Sequence, residues 1–245
     1  DIPPRITENY QGDFNEIKNN LNGCIDAVNG LINETDNLIK AVSEGRLDAR
    51  GDVEAFTGDW GRLVGGMNGL MEAVSEPVDE LVDVLEHMAV NDLTKKMEKE
   101  YAGIWNELKK AANLVQERIL NTIRITVNIS NGDLGDLEGL KKLGRRSEND
   151  ELVPAFIKMM GAIQSLVADA NMLAGAAVEG KLGTRADAAQ HEGEYRRIIE
   201  GVNNMMDAVI HPINEAADCL KEMAEGNLDV RVKGDYQGDH AIIKE

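Results

Sequence analysis

The stretch from residue 55 to residue 93 decides the fold. It reads AFTGDWGRLVGGMNGLMEAVSEPVDELVDVLEHMAVNDL. Its apolar side chains advance in steps of 4-3-4-4-3-4-3, and a 3-4 alternation is the spacing of a coiled-coil seam. The doubled step of four is a stutter, which locally unwinds a supercoil. The pattern predicts one long helix that ends near Asn91, since Asn tolerates the left-handed backbone of a helix stop. The seam residues are Leu63, Met67, Leu70, Val74, Val78, Leu81, Leu85 and Met88.

Two short motifs frame this helix, and both recur along the chain. The first is an aromatic residue, a spacer and Gly, often followed by a second aromatic residue, as at residues 56–60. The second is Gly or Asn, a spacer and Leu. They interleave with a period of about 45 residues, which predicts repeated units of helix, polar connector and helix. Copies of the first motif lie at 10–14, 101–105, 191–195 and 236–240, with a degenerate copy at Ser147; those of the second are Gly45 with Leu47, Asn91 with Leu93, Gly132 with Leu134, Gly180 with Leu182, and Gly226 with Leu228.

An asparagine follows the first motif at a fixed distance. It lies ten positions after the central Gly in four copies, whereas Ile157 takes its place in the degenerate copy. The sequence alone assigns no role to this asparagine. The four residues are Asn22, Asn68, Asn113 and Asn203.

One junction between units differs in length from the others. Gly103 and Gly132 are 29 residues apart, whereas 33 residues separate the corresponding positions in four other cases. A loss of four residues rotates the next unit by about 40°, because each helical residue turns about 100°. We interpret this junction as a deliberate change of phase; an evolutionary deletion in a spacer is the alternative. The seam residues at this junction are Ala112, Val115, Ile119 and Thr122.

Composition narrows the function classes. The net charge is -18, which disfavours nucleic acids and anionic membrane surfaces because both would repel the chain. Only 4% of the residues are aromatic, which is little for a large globular core. The two cysteines, Cys24 and Cys219, are too few for a disulfide framework and favour a reduced, cytosolic setting. No uninterrupted apolar run approaches the roughly 20 residues that span a bilayer. The abrupt ends suggest a piece of a longer protein.

The sequence predicts no enzyme, and neither a catalytic residue, a cofactor site nor a metal site. Phosphate-binding loops, nucleophile elbows and His/Cys clusters with metal spacing do not stand out. His191-Glu192 resembles the start of a phosphoacceptor box, but Gly193-Glu194 lacks the basic residue and the Pro that should follow. Trp60, Trp105 and Tyr195 are interpreted as connector anchors, with a ligand-binding surface as the alternative.

At this point the units resemble the HAMP linker domain of chemoreceptors, sensor histidine kinases, adenylate cyclases and phosphatases. The connector Leu of that family is matched at each copy of the second motif, and its second connector hydrophobe is matched by Met97, Ala186 and Val232. Gly51 and Glu138 depart from the pattern, so we expect their two connectors to pack more loosely. The Pro of the family's first helix is matched by Pro77 and Pro212, and the acidic pair that opens its second helix by Asp150-Glu151.

The resemblance implies an all-α fold. We expect an elongated tandem array of parallel four-helix bundles, formed by a parallel homodimer, with continuous helices joining successive units. Two copies are needed because one unit offers two short helices that cannot bury their apolar stripes alone. The expected boundaries are a partial unit at 1–27 (a second helix), complete units at 28–74, 75–119, 120–166 and 167–210, and a partial unit at 211–245 (a first helix, a connector and the start of a second helix).

The same resemblance implies a signal relay. Stacked two-state bundles would pass a conformational signal from a sensor to an output domain of the same longer chain, with a chemoreceptor as the leading interpretation. The alternatives are an array within a sensor histidine kinase, a passive coiled-coil spacer and a small-molecule binding module. We expect no nucleic-acid partner, a cytoplasmic location, and membrane association only through other parts of the parent protein.

Overall fold

A computed structural model describes residues 2–244, with side chains described as far as Ile242. The two end residues of the predicted array, Asp1 and Glu245, lie outside this range. The described chain is helical and contains no strand, as the resemblance implied. The helices are α1 (Asp13–Ser43), α2 (Asp59–Ala89), α3 (Ile104–Ser130), α4 (Leu137–Leu143), α5 (Leu152–Val178) and α6 (Gly193–Ala224), with 3-10 turns at Ala188–Gln190 and Gly238–Lys244.

The long helices stop where the second motif begins. Gly45 follows α1 with a φ of 78°, a left-handed value that Gly adopts without a Cβ clash. Asn91 follows α2 with a φ of 62° and is the one residue other than Gly with a positive φ among those described. The backbone stops of the repeat therefore lie where the sequence places them. Gly132, Gly180 and Gly226 occupy the same position, with φ values of 77°, 72° and 98°.

The lengths of the helices reproduce the irregular spacing of the motifs. α1, α2 and α6 have 31, 31 and 32 residues, whereas α3 has 27. α5 also has 27 residues, because it begins at the Asp150-Glu151 pair and not at the degenerate motif around Ser147. The helices are continuous, so Pro77 and Pro212 lie inside α2 and α6. Each proline therefore marks a position along an unbroken helix, as expected where the helix of one unit continues into the next; their match to the first-helix motif stays a prediction.

The chain divides into two compact units, Asp1–Ile123 and Arg124–Glu245. In the first, α1 packs against α2, and the fully buried side chains include Val64, Val84 and Met97. In the second, α5 packs against both α4 and α6. One apolar cluster there joins α4 to α5 around Met160, and another joins α5 to α6 around Leu173 and Ile199.

Helix α5 is apolar enough, by length and composition alone, to cross a membrane. An 18-residue window within it has a mean hydropathy of 1.3. The helix meets this criterion by averaged hydropathy, which the prediction about uninterrupted apolar runs did not consider; Lys158 and Asp169 interrupt the run itself. Both charges meet the following connector: Lys158 Nζ lies 3.1 Å from Glu192, and Asp169 lies 2.6 Å from His191. A helix in the core of a bundle has the same composition.

Candidate functional site: the docked connectors

In four connectors, a single asparagine side chain clamps the backbone. The Met97 N–H donates to Asn113 Oδ1 at 3.0 Å, and Asn113 Nδ2 donates to the Met97 carbonyl at 2.9 Å. Because both backbone groups of one residue are satisfied by one side chain, the connector is fixed in height and rotation against the helix. The same two bonds join Asn22 to Ile6, Asn68 to Gly51, and Asn203 to Ala186, at 2.7–3.2 Å.

An acidic side chain of the preceding helix receives the end of the connector. Glu80 accepts the N–H of Glu98 at 2.7 Å and the hydroxyl of Tyr101 at 2.6 Å. Desolvation of Glu80 opposes its ionisation, but the bonds from Tyr101 and from the N–H groups of Glu98 and Lys99 outweigh it and lower its pKa. Burial, followed by the bond to Glu80, raises the pKa of Tyr101. We call this contact, in which a charged carboxylate of the preceding helix binds the end of the connector, the latch.

The same latch recurs with altered chemistry in other units. Glu215 accepts the hydroxyl of Tyr236 and the N–H of Lys233, which lowers the Glu215 pKa and raises the pKa of Tyr236 to about 12. In the predicted 167–210 unit the pair is Asp169 and His191, with 2.6 Å between Oδ2 and Nε2. His191 is 3% exposed, so the residue that resembled a phosphoacceptor is a docked structural residue.

An arginine three residues after the connector Leu folds the first half of the connector. Arg50 Nη1 donates to the carbonyls of Leu47 and Ala49, at 2.9 and 2.8 Å. Since these carbonyls lie in an irregular segment, the side chain supplies the donors that secondary structure would otherwise provide. Arg185 makes the same bonds to Leu182 and Thr184, and Arg231 to Leu228 and Val230.

The connector between α3 and α5, in the predicted 120–166 unit, docks in a different way. It contains α4, which buries Leu137 and Leu140 at 1% and 7% exposure against Met160 and its neighbours. Looser packing at Glu138 is therefore a wrong prediction, because α4 turns its apolar face inward and leaves Glu138 exposed. Looser packing at Gly51 is wrong as well. Gly51 is buried, and a Cβ there would meet Val64 Cγ1 at 2.8 Å.

The sequence-predicted connector residues lie mainly against the helices. Met97 and Ala186 are 1% and 5% exposed, and Val232 is half-buried. Four of the five connector leucines are half-buried, whereas Leu228 is 68% exposed. Asp150 caps α5 by accepting the N–H groups of Leu152 and Val153 at 3.1 and 3.2 Å. Glu151 pairs with Arg145 at 3.3 Å.

The four residues of the phase-shifted junction lie along α3. Ala112 and Thr122 are half-buried, and Val115 and Ile119 are exposed, at 52% and 38%. The Thr122 hydroxyl donates to the Arg118 carbonyl at 2.9 Å. Their role in changing the phase stays a prediction.

Half of the predicted seam residues of α2 are exposed in the single chain, and the other four are half-buried. On α2, Leu63, Leu70, Val74 and Leu85 are between 41% and 71% exposed. Val64 and Val84, which are next in sequence to the seam residues Leu63 and Leu85 and so point to the flanks of the seam, are each 0% exposed. Each long helix thus has one apolar face covered by its own chain and a second apolar face that is not. Comparable exposure is found at Ile17, Leu21, Ile32, Ile39 and Val42 on α1, and at Ile198, Met205, Val209, Ile213, Leu220 and Met223 on α6.

A groove of about 1010 Å³ lies between α5 and the start of α6, beside Tyr195. Ala155, Met159 and Ala162 form its apolar side, and Lys158 faces Glu192 across its polar side. The same seam spacing runs along α5 through Met159, Ala170 and Ala174, so the groove at Met159 continues the uncovered apolar face.

Sequence reasoning missed the roles of the clamp and the latch. The clamp asparagine was visible as a fixed spacing, but spacing does not reveal that its amide meets a connector 16 or 17 residues earlier. The latch acid lies eleven residues before the helix stop, as Glu34, Glu80, Asp169 and Glu215. That regularity could have located it, because a position kept acidic beside an apolar seam needs a partner.

Clamped connectors on continuous helices define the class of protein as a tandem array of helix-connector-helix signalling linkers. Residues 1–30, 55–121 and 190–245 match the profile of the HAMP domain. Together they make up more than half of the chain, which therefore belongs to the HAMP domain family. The methyl-accepting chemotaxis protein McpB of Pseudomonas aeruginosa is 26% identical over 128 residues, covering 46% of this chain. The chain spans 19% of the length of that relative.

Proposed function

We propose that this chain relays a conformational signal between a sensor and an output domain of one longer chemoreceptor, as two parallel copies whose stacked HAMP units switch in turn. The uncovered seam carries the proposal. A soluble monomer rarely leaves such a long apolar stripe in water, and a second copy would close it. In this proposal the segment is cytoplasmic, catalyses nothing and binds no cofactor.

Continuity of the helices supports the coupling. α2 carries the second helix of one predicted unit and the first helix of the next, so a rotation on one side of Pro77 is transmitted to the other. Moving a two-state unit from mostly off to mostly on takes about 5.5 kcal/mol of differential stabilisation. Small seam residues such as Ala170 and Ala174 keep alternative packings close in energy. Ala174→Leu should lock one state, and unchanged downstream output would count against this.

The chemoreceptor context rests on the relative, which is named as a methyl-accepting chemotaxis protein. A histidine kinase parent is the alternative, and the sequence next to this segment in the gene separates the two. The connectors disfavour a passive spacer, because a rigid rod needs no returning segments held against its helices by asparagine clamps and acidic latches.

A pair of deletions tests relay against spacer in the full-length protein. Removing residues 71–74 from α2 changes the phase by about 40°, whereas removing the heptad 68–74 changes it by only about 20° while shortening the helix more. Deleting 68–74 would also remove the clamp residue Asn68. The control is therefore the deletion of residues 69–75, which removes the same number of residues and keeps Asn68. A relay predicts locked or inverted output after the loss of four residues and milder change after the loss of seven. Output that falls with length alone would support the spacer.

A further inference from the structure

We infer that the 120–166 unit is a fixed joint in the relay, whose connector stays docked while the asparagine-clamped connectors are released and recaptured. The inference rests on the proposed relay function. It starts from the difference between α4 and the irregular connectors of the other units.

The α4 connector is held by an apolar core. Leu137 and Leu140 pack with Ile125 of α3 and with Val153 and Met160 of α5, all at 7% exposure or less. Releasing the connector would expose two leucines to water at once. Burial of two such side chains favours the docked state on the order of a thousandfold. A clamped connector buries a single apolar residue at the clamped position, Met97 or Ala186, beside two neutral hydrogen bonds that favour docking on the order of thirtyfold.

The backbone of this connector needs no clamp. The Leu140 N–H donates to the Asp136 carbonyl, and the Gly144 N–H donates to the Leu140 carbonyl, each at 3.0 Å. Because α4 satisfies its own groups, the clamp position is free to become apolar. Ile157 takes that position and packs against the same cluster. The change from Asn to Ile therefore accompanies the change from loop to helix, because a helical connector has no backbone groups left for an asparagine to bind.

A charged anchor adds to the core at the start of α4. Arg124 of α3 places two nitrogens 3.1 and 3.0 Å from the two Asp136 oxygens, and Asn128 Nδ2 donates to the same carboxylate at 2.9 Å. These bonds, with that from Arg124 first, lower the Asp136 pKa. A two-nitrogen contact from Arg fixes direction as well as distance, so the connector is held at its entry as well as along its face.

A fixed connector changes how a signal can pass this unit. A clamped unit can release its connector and let two helices separate or rotate independently. In the 120–166 unit two leucines of α4 lie in one core with α3 and α5, whereas the 167–210 unit buries one small connector residue, Ala186, between α5 and α6. We therefore expect α3, α4 and α5 to move together. Helix α3, which has four residues fewer than α1 and α2, leads into this unit, so the predicted phase change is next to the fixed packing.

Hydrogen exchange on the whole 245-residue chain tests the inference. The amides of Leu140 and Gly144 should exchange at least about tenfold more slowly than those of Met97 and Ala186. Leu140→Ala should erase that difference, and Leu143→Ala, at a 49% exposed position on the same helix, should leave it intact. Equal or faster exchange in wild-type α4 would overturn the inference, even if the Leu140 variant misfolds.

A second arm separates this inference from the relay itself. Ala174→Leu should alter exchange at Met97 or Ala186 and leave α4 unchanged. If α4 responds together with the clamped connectors, the joint is not fixed. If no connector responds while α4 remains the slowest, the relay proposal fails and the inference loses its functional meaning with it.

Discussion

The connectors at 90–103 and 131–151 perform the same task with opposite chemistry. The first has no regular structure and depends on Asn113, Glu80 and one buried side chain, Met97. The second folds into α4 and depends on a shared apolar core. Residues 122–189, which include the α4 connector, lie outside the match to the HAMP profile. The comparison shows that docking is what the fold requires, and that the polar clamp is one way to achieve it.

The apolar side of this comparison should give the largest effect. Met160→Ala removes a side chain that is 0% exposed at the centre of the α4 cluster. We expect a loss of about 3 kcal/mol in the free energy of unfolding, from lost burial and the cavity left behind. Urea denaturation followed by circular dichroism measures it. Leu143→Ala should cost much less, and a similar cost for the two variants would mean that α4 is not docked.

The polar clamp should come next. Asn203→Asp keeps Oδ1 but places a second oxygen against the Ala186 carbonyl, where Nδ2 now donates at 2.9 Å. We expect about 2 kcal/mol of local destabilisation from a lost bond and a repulsive contact. Hydrogen exchange in residues 182–188 reports it. Asn204→Asp adds the same charge to the exposed neighbouring residue, and faster exchange in both variants would indicate a general charge effect.

A substitution at the close contact between the connector backbone at Gly51 and helix α2 should have a smaller effect. Gly51→Ala places a Cβ 2.8 Å from Val64 Cγ1 in the first compact unit. We expect a loss of about 1–2 kcal/mol because the side chain or the connector must shift. Gly69→Ala, in the helix with open space around it, should instead stabilise by up to about 1 kcal/mol. Thermal unfolding of both variants measures these changes. Stabilisation by Gly51→Ala would contradict the docked position of the connector at Gly51.

The latch hydroxyl should have the smallest effect. Tyr101→Phe removes the donor to Glu80 and imitates Phe56, which occupies the equivalent position in the preceding unit. We expect about 1 kcal/mol of destabilisation at neutral pH. A loss comparable to that of Met160→Ala would show that the latch, and not burial, dominates docking.

Acid should separate the two kinds of connector. The pKa of Glu80 is lowered in the folded chain, so its contribution is present above the usual carboxyl range and is lost as pH falls through the folded value. Exchange in residues 93–99 should therefore rise below about pH 4. Asp136 at the start of α4 also has a lowered pKa and loses its bonds from Arg124 and Asn128 in acid. The burial of Leu137 and Leu140 does not titrate, so α4 should respond less over the same range. The Tyr101→Phe variant should show a weaker pH dependence than the wild type.

Helix periodicity and helix stops could be predicted from the sequence because both are local. The seam spacing located α2, and Gly45 and Asn91 located the helix ends. The α4 connector was not predicted, although Leu134, Leu137 and Leu140 recur at helical spacing. The prediction aligned this connector with connectors that contain no helix, which placed Glu138 at the position of the second connector hydrophobe. In α4 the buried hydrophobe is Leu137, one residue earlier.

The clamp and the latch could not be derived because they join distant residues. Tyr101 and Glu80 are 21 positions apart, and their contact depends on how the connector reverses. Periodicity describes a face of one helix and carries no information on what a returning segment will touch. A repeated chain offers one remedy: compare polar residues at equal positions across units before assigning them to solvent.

Disulfide formation between copies tests the central claim, which is the parallel pairing along the seam. Cys24 lies 12 residues after Gly12, the seam position that Leu70 holds 12 residues after Gly58, and it is exposed in the single chain. Cys219 lies beside the seam residue Leu220. Under mild oxidation, Cys219→Ser (leaving Cys24) should form a covalent dimer quickly, because a parallel pair brings the two Cys24 thiols to the same level. Cys24→Ser (leaving Cys219) should do so much more slowly. Equal rates, or a protein that remains monomeric at every concentration, would contradict the account.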